Sequence, residues 1–192
     1  LSSTQASMNI IPDHHPATSW IDIQLKQQKP NNINFSINNA GIEPNKNSYS
    51  INYSRDNALA YNETITLGIN NGEVFSPTDA GDKTYTRSYN LNFNIPYGNS
   101  LLDYQYHSSK YLGKNNPQTA QEITYSGKSN KHSLAINHTL YKHSHHSLEI
   151  NNQLNYYQTL KYNNNILTTI SSYTLAYLTS KISYNYNSHN IS

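Results

Sequence analysis

The sequence predicts an all-β chain, and within that class part of an antiparallel transmembrane β-barrel of about eight strands. Three observations carry this expectation. Apolar and polar residues alternate with period two through nearly every segment from about residue 31 onward. The polar phase is built from small uncharged residues, while the apolar phase is rich in Tyr. The connections between segments alternate between short and long along the chain.

The segments follow in order. Ile33, Phe35 and Ile37 alternate with Asn34, Ser36 and Asn38; Tyr49, Ile51 and Tyr53 alternate with Ser50, Asn52 and Ser54. Ile65, Leu67 and Ile69 come next, then Tyr89, Leu91, Phe93 and Ile95 against Asn90, Asn92 and Asn94. Leu102, Tyr104 and Tyr106 stand against Asp103, Gln105 and His107. Leu134 and Ile136, then Leu148, Ile150, Leu154 and Tyr156, keep the pattern; Tyr173, Leu175 and Tyr177, then Ile182, Tyr184 and Tyr186, complete it. Successive side chains of a strand point to opposite faces, so each segment makes a ribbon apolar on one side and polar on the other.

Composition narrows the class. The 192 residues are 35 % hydrophobic and 12 % charged, with a net charge of +2. The apolar share lies below the ~45–50 % of ordinary globular domains, and the charge is too small to drive nucleic-acid binding. Eighteen Tyr argue against disorder, because disordered chains lack aromatic and β-branched residues. With no Cys, disulfides and thiolate metal sites are excluded. No apolar run approaches the ~18 residues of a transmembrane helix, which leaves a barrel open because barrels signal by alternation. The chain begins at Leu1 without a signal-peptide pattern, so the first residues of the gene product are expected upstream.

A soluble β-sandwich, or a surface-displayed adhesin segment, would also alternate. Solvated sheet faces and edges usually carry Lys and Glu, which the polar phase here largely lacks. The loops add a separate argument. Residues 71–87 and 111–131 are expected to be long connections, and 96–100 and 142–147 short ones. Outer-membrane barrels have short periplasmic turns and longer extracellular loops, so this order fits a barrel whose first strand rises outward.

Residues 16–41 resemble the junction between the second polypeptide-transport-associated (POTRA) domain and the first barrel strand of haemolysin-activator-type translocators. Pro16, Ser19, Ile21, Ile23, Leu25, Pro30, Asn39 and Gly41 occupy the matching places. Arg55, Asp56 and Asn57, followed by Ala58-Leu59, are similar to that family's Asp-Asn-x-Leu-Gly turn, with Ala60 where Gly is usual. The stretch 87–98 resembles the fourth strand running into a Pro96-Tyr97-Gly98 turn. The resemblance is to the two-partner secretion branch of the Omp85 superfamily. It implies that residues 1–30 are the tail of a POTRA domain and residues 31–192 the N-terminal half of a bacterial outer-membrane barrel. It also implies a secreted exoprotein of haemolysin or adhesin type as substrate, outer-membrane lipid as surroundings, and no cofactor. A porin or a general assembly factor is the alternative barrel, and the Pro30 hinge argues against a simple porin.

Candidate chemistry is sparse. His143, His145 and His146 form the densest histidine cluster, with Glu149 the one close carboxylate, and are expected in a turn rather than in a metal site. No Gly-x-Ser-x-Gly elbow frames a nucleophile and no glycine-rich phosphate loop is present, so no enzyme is expected. Asp103 and His107 fall opposite Leu102, Tyr104 and Tyr106 and are expected to face the lumen.

Overall fold

The structure is a computed structural model that describes residues 4–12, 19–27, 30–39, 47–73, 84–115, 123–143 and 145–186. A separate two-stranded antiparallel sheet comes first, formed by β1 (Thr4–Pro12) and β2 (Ser19–Gln27). One large antiparallel sheet follows: β3 (Asn31–Asn38), β4 (Asn47–Asp56), β5 (Thr64–Glu73), β6 (Tyr85–Tyr97), β7 (Ser100–Asn115), β8 (Ile123–His143), β9 (His146–Asn163), β10 (Ile166–Leu167) and β11 (Tyr173–Tyr186). Each strand from β3 to β9 pairs with the next, and β11 joins β9. Eight long strands match the expected number; β10 is a two-residue addition closed by Asn164 and Asn165, both at positive φ, as a tight hairpin turn requires.

Directly paired residues of an antiparallel ladder project to the same side, so the register sorts the whole sheet into two faces. One face carries Ile33, Phe35 and Ile37, then Tyr49, Ile51 and Tyr53, then Ile65, Leu67 and Ile69. It continues through Tyr89, Leu91, Phe93 and Ile95, then Leu102, Tyr104 and Tyr106, and on through Leu134 and Ile136 to Leu154 and Leu178. The other face carries Asn34, Ser50, Asn52, Thr66, Gly68, Asn90, Asn92, Gln105, Ser133 and Asn155 along the same strands.

Among the described residues nothing covers the apolar face. Among the described residues Ala135 is the one buried hydrophobic side chain, while Ile33, Ile37 and Leu178 are each about two-thirds exposed or more. Burying apolar area is the dominant favourable term in folding, so an exposed apolar face of this extent needs another apolar medium. A second layer of protein, as in a sandwich, is absent among the described residues.

The sheet departs from the sequence expectation in two places. The connection expected at 111–131 is largely strand: β7 runs to Asn115 and β8 starts at Ile123, leaving 116–122 between them. Likewise β5 reaches Glu73 and β6 starts at Tyr85, so the connection expected at 71–87 shrinks to 74–84. These extensions lack apolar alternation and are held by interlocked cross-strand pairs. Tyr111 lies over Gly127 and Tyr125 over Gly113, so close that a Cβ on either glycine would fall 2.2–2.5 Å from a ring carbon. The second departure is in β11. Tyr173, Leu175 and Tyr177 pair with Thr159, Tyr157 and Asn155 on the polar face, whereas Ile182, Tyr184 and Tyr186 lie on the apolar one. The two apolar runs have opposite parity, and one unbroken pleat sends them to opposite sides.

Candidate functional site

The functional element of such a sheet is its pair of faces, and the register shows how they are inclined. Along each strand the apolar run is centred at the level of Ile51 on β4, Asn92 on β6 (between Leu91 and Phe93), Tyr104 on β7, Ala135 on β8 (between Leu134 and Ile136) and Asn152 on β9. These positions do not share one hydrogen-bonded row. Ile51 is aligned through Ile69, Tyr89, Ser108 and Asn130 with Gln158, six residues beyond the middle of β9. The apolar band therefore slides by about one residue per strand. With a ~3.3 Å rise and ~4.8 Å strand spacing, that slide corresponds to a strand tilt of about 35–40°, inside the range of transmembrane barrels.

The ends differ. The connections 57–63, 98–99 and 144–145 lie at one end; 39–46, 74–84, 116–122 and 164–172 lie at the other. Two of the first set are two-residue turns, which matches the periplasmic side of a barrel, and the second set matches the extracellular side. Strand lengths agree: a transmembrane strand needs ~9–11 residues. β7, β8 and β9, of 16, 21 and 18 residues, therefore extend beyond the bilayer.

The polar face carries side-chain hydrogen bonds across several strand pairs. Ser36 and Ser50 share a 2.6 Å hydrogen bond, Gln153 donates to Ser133 at 2.7 Å, and Asn70 donates to Ser88 at 3.3 Å. Asp103 lies between Asn94 and Ala135, and His107 between Asn90 and Lys131, so both occupy this face. Such a lining presents mostly neutral donors and acceptors, with charged groups such as Asp103 and Lys131 among them, a surface that water can wet.

The residues of the family-like motifs are placed as follows. The Pro30 carbonyl accepts a 2.9 Å hydrogen bond from the Asp56 N–H, which joins the start of β3 to the end of β4. Asn39 directly follows β3 and is exposed; Gly41 lies outside the described residues. Arg55 falls on the apolar face at its inner margin, and Asp56 is buried, accepting from the Thr64 hydroxyl at 2.8 Å. Pro96 and Tyr97 are the last residues of β6, and Gly98, at φ +55°, forms with Asn99 the two-residue turn into β7. The histidines are spread across the inner end: His143 pairs with His146, whose ring bonds the Tyr184 hydroxyl at 2.5 Å. Among the described residues no group of three metal-ligating side chains converges.

The turn 57–63 holds a residue that sequence reasoning missed. Glu63 has no exposed surface, and its carboxylate accepts hydrogen bonds from the Leu59 and Tyr61 N–H groups. Asn57, Ala60 and Asn62 adopt positive φ to wrap the backbone around it. Desolvation pushes the Glu63 carboxyl up, but the N–H donors of Leu59, Glu63, Tyr61 and Ala58 together outweigh it and hold the pKa below the ordinary value. The sequence signal was present: turn-forming Asn57 and Asn62 flank a short segment closed by one carboxylate.

Comparison with known proteins agrees with this geometry. Residues 17–191 match the family described as haemolysin secretion/activation protein ShlB/FhaC/HecB. The chain belongs to that family. A curated relative, the outer membrane transporter CdiB-2 of Burkholderia pseudomallei (strain 1026b), is 30 % identical over 100 residues, covering 51 % of this chain and 16 % of that protein. Among solved structures, CdiB from Escherichia coli superposes with a TM-score of 0.78 at 18 % identity, covering 96 % of this chain and 33 % of that one. CdiB from Acinetobacter baumannii gives a TM-score of 0.72 at 16 % identity, covering 98 % and 35 %. The chain thus spans about a third of the solved proteins it resembles. As a member of the ShlB/FhaC/HecB family, it is a β-barrel protein of the bacterial outer membrane.

Proposed function

We propose that this chain supplies the first half of the wall of a two-partner secretion translocator, through which a large exoprotein of haemolysin or adhesin type passes from periplasm to cell surface. The inclined apolar band with a polar face behind it carries the reading: lipid lies on one side and a hydrated conduit on the other. On this proposal residues 31–192 are the N-terminal half of the barrel, and residues 1–30, with the separate β1–β2 sheet, are the end of a POTRA domain. Asp103 and His107 line the conduit. The partners are the secreted exoprotein and outer-membrane lipid, and no catalytic step belongs to the chain.

The half-wall reading also fits the sheet edges. Among the described residues β3 pairs only with β4, and β11 only with β9. Unpaired backbone groups in hydrocarbon cost several kcal/mol each, so further strands must satisfy both edges in the bilayer. Deleting the gene that encodes this chain should leave its exoprotein in the periplasm. Undiminished display of the exoprotein at the cell surface would overturn the proposal.

A further inference from the structure

Three cations stand side by side on the lipid-facing side of the sheet. Arg87 on β6 pairs directly with Lys110 on β7, which pairs directly with Lys128 on β8. All three are exposed. Directly opposed residues on neighbouring strands lie ~4.5–5.5 Å apart, and like charges placed so are destabilising. Arg87 is anchored, donating from Nε to the Asn71 Oδ1 at 3.2 Å with its guanidinium 5.9 Å from the Tyr85 ring centre. Tyr89, Ser108 and Asn130 occupy the row toward the membrane; Tyr85, Leu112 and Ser126 occupy the row away from it. No carboxylate stands on these rows of β6, β7 or β8; Glu73, at the end of β5, is the nearest acid by register, opposite Tyr85.

Their height above the bilayer midplane follows from the inclined band. Arg87 is five residues outward from Asn92, Lys110 six from Tyr104, and Lys128 seven from Ala135. At ~3.3 Å per residue and a tilt near 40°, these steps place them about 13, 15 and 18 Å from the midplane. The hydrocarbon half-thickness is about 12–15 Å. The row therefore rises from the hydrocarbon edge into the headgroup layer, four residues outward along the strands from the aromatic row of Tyr106, His132 and Tyr156. The inner end of the same face holds Arg55 as its one Lys or Arg among the described residues.

We propose that Arg87, Lys110 and Lys128 form a binding site for the phosphate groups of outer-leaflet lipid. A phosphorylated headgroup bridges the three cations, relieves their mutual repulsion and fixes the vertical position of the barrel. The guanidinium offers a planar fork to phosphate oxygens, and the two ammonium groups act as point charges. Acids also occur in the sequence of the connections 74–84 and 116–122, and the test separates an acid of the chain from lipid.

The full barrel protein in mild detergent is offered bisphosphorylated lipid A or its dephosphorylated counterpart, and bound lipid is measured by native mass spectrometry. Each basic residue at a membrane surface contributes about 1 kcal/mol, or roughly fivefold in affinity. The Arg87→Gln, Lys110→Gln, Lys128→Gln variant should therefore lose binding of the phosphorylated lipid on the order of a hundredfold. The charge-matched variant Lys131→Gln, Lys161→Gln, Lys181→Gln, altered on the polar face, should bind as the parent does. Excess inorganic phosphate should displace little lipid, because it lacks the acyl chains. If the first variant fails to fold, the parent protein is measured across rising salt, where binding of the phosphorylated lipid alone should fall. The proposal is overturned by unchanged lipid binding in the first variant, as expected if loop acids occupy the cations. Equal loss in both variants, displacement by inorganic phosphate, or salt-insensitive binding would overturn it as well.

Discussion

Substituting Lys at two positions of a single hydrogen-bonded row tests the tilt of the wall. Ile51 and Gln158 are joined through Ile69, Tyr89, Ser108 and Asn130, so in an upright sheet they would sit at equal depth. In the inclined sheet Ile51 is at the bilayer midplane. Gln158 is six residues outward from Asn152, or about 15 Å. A Lys on the lipid face costs about 2–4 kcal/mol at the midplane and about 0–1 kcal/mol near the interface. Ile51→Lys should therefore lower the folding equilibrium of the barrel roughly 30- to 900-fold. Gln158→Lys should lower it no more than about fivefold. Asn52→Lys, one residue from Ile51 but on the polar face, serves as a control with a small effect. Guanidinium titration of the complete barrel folded in phospholipid vesicles reads all three. Equal losses for Ile51→Lys and Gln158→Lys would refute the tilt, and a large loss for Asn52→Lys would refute the assignment of faces.

Other consequences are local. Ala60 holds φ +65°, a left-handed conformation that costs a non-glycine residue about 1–2 kcal/mol; Ala60→Gly should stabilise the barrel by about 1 kcal/mol in the same titration. Glu63 has a depressed pKa when folded, so its contribution to stability is fully present above the unfolded value and is lost as pH falls through the folded one. Proteolysis at the 57–63 turn should accordingly accelerate below the ordinary glutamate range, and Glu63→Gln should remove that pH dependence. At mid-membrane on the apolar face the Ser180 hydroxyl donates to Asn152 Oδ1 at 2.7 Å; Ser180→Ala should cost about 1–2 kcal/mol by leaving a polar acceptor unpaired, and a neutral result would show that Asn152 finds another donor.

Much of this architecture is legible in the residues themselves. Alternation from Ile33 to Ile95 has one parity per segment, so faces, strand number and short turns such as Gly98-Asn99 follow directly. The outer extensions are not legible, because Lys110 to Asn115 and Ile123 to Asn130 lie at or beyond the hydrocarbon edge, where nothing demands an apolar phase. Their signal is a reciprocal Tyr–Gly pairing across strands that the linear sequence separates. The parity change between Tyr177 and Ile182 is visible in the sequence, but only the unbroken strand shows that the two runs serve different faces. Glu63 was half legible: Asn57 and Asn62 mark its turn, but its partners are backbone N–H groups, which have no letter in a sequence. Ala60 shows the converse. The departure from the usual Gly was legible, and the positive φ supplies its physical meaning.

The central claim is that one face of this sheet meets lipid while the other lines a water-filled conduit. The chain has no Cys, so single cysteines can be placed in turn from Leu101 to His107 on β7 of the complete barrel and spin-labelled in vesicles. Labels at Leu102, Tyr104 and Tyr106 should collide with membrane-dissolved oxygen. Those at Asp103, Gln105 and His107 should instead collide with a water-soluble paramagnetic reagent. Uniform access to the aqueous reagent, or a pattern without period two, would contradict the account.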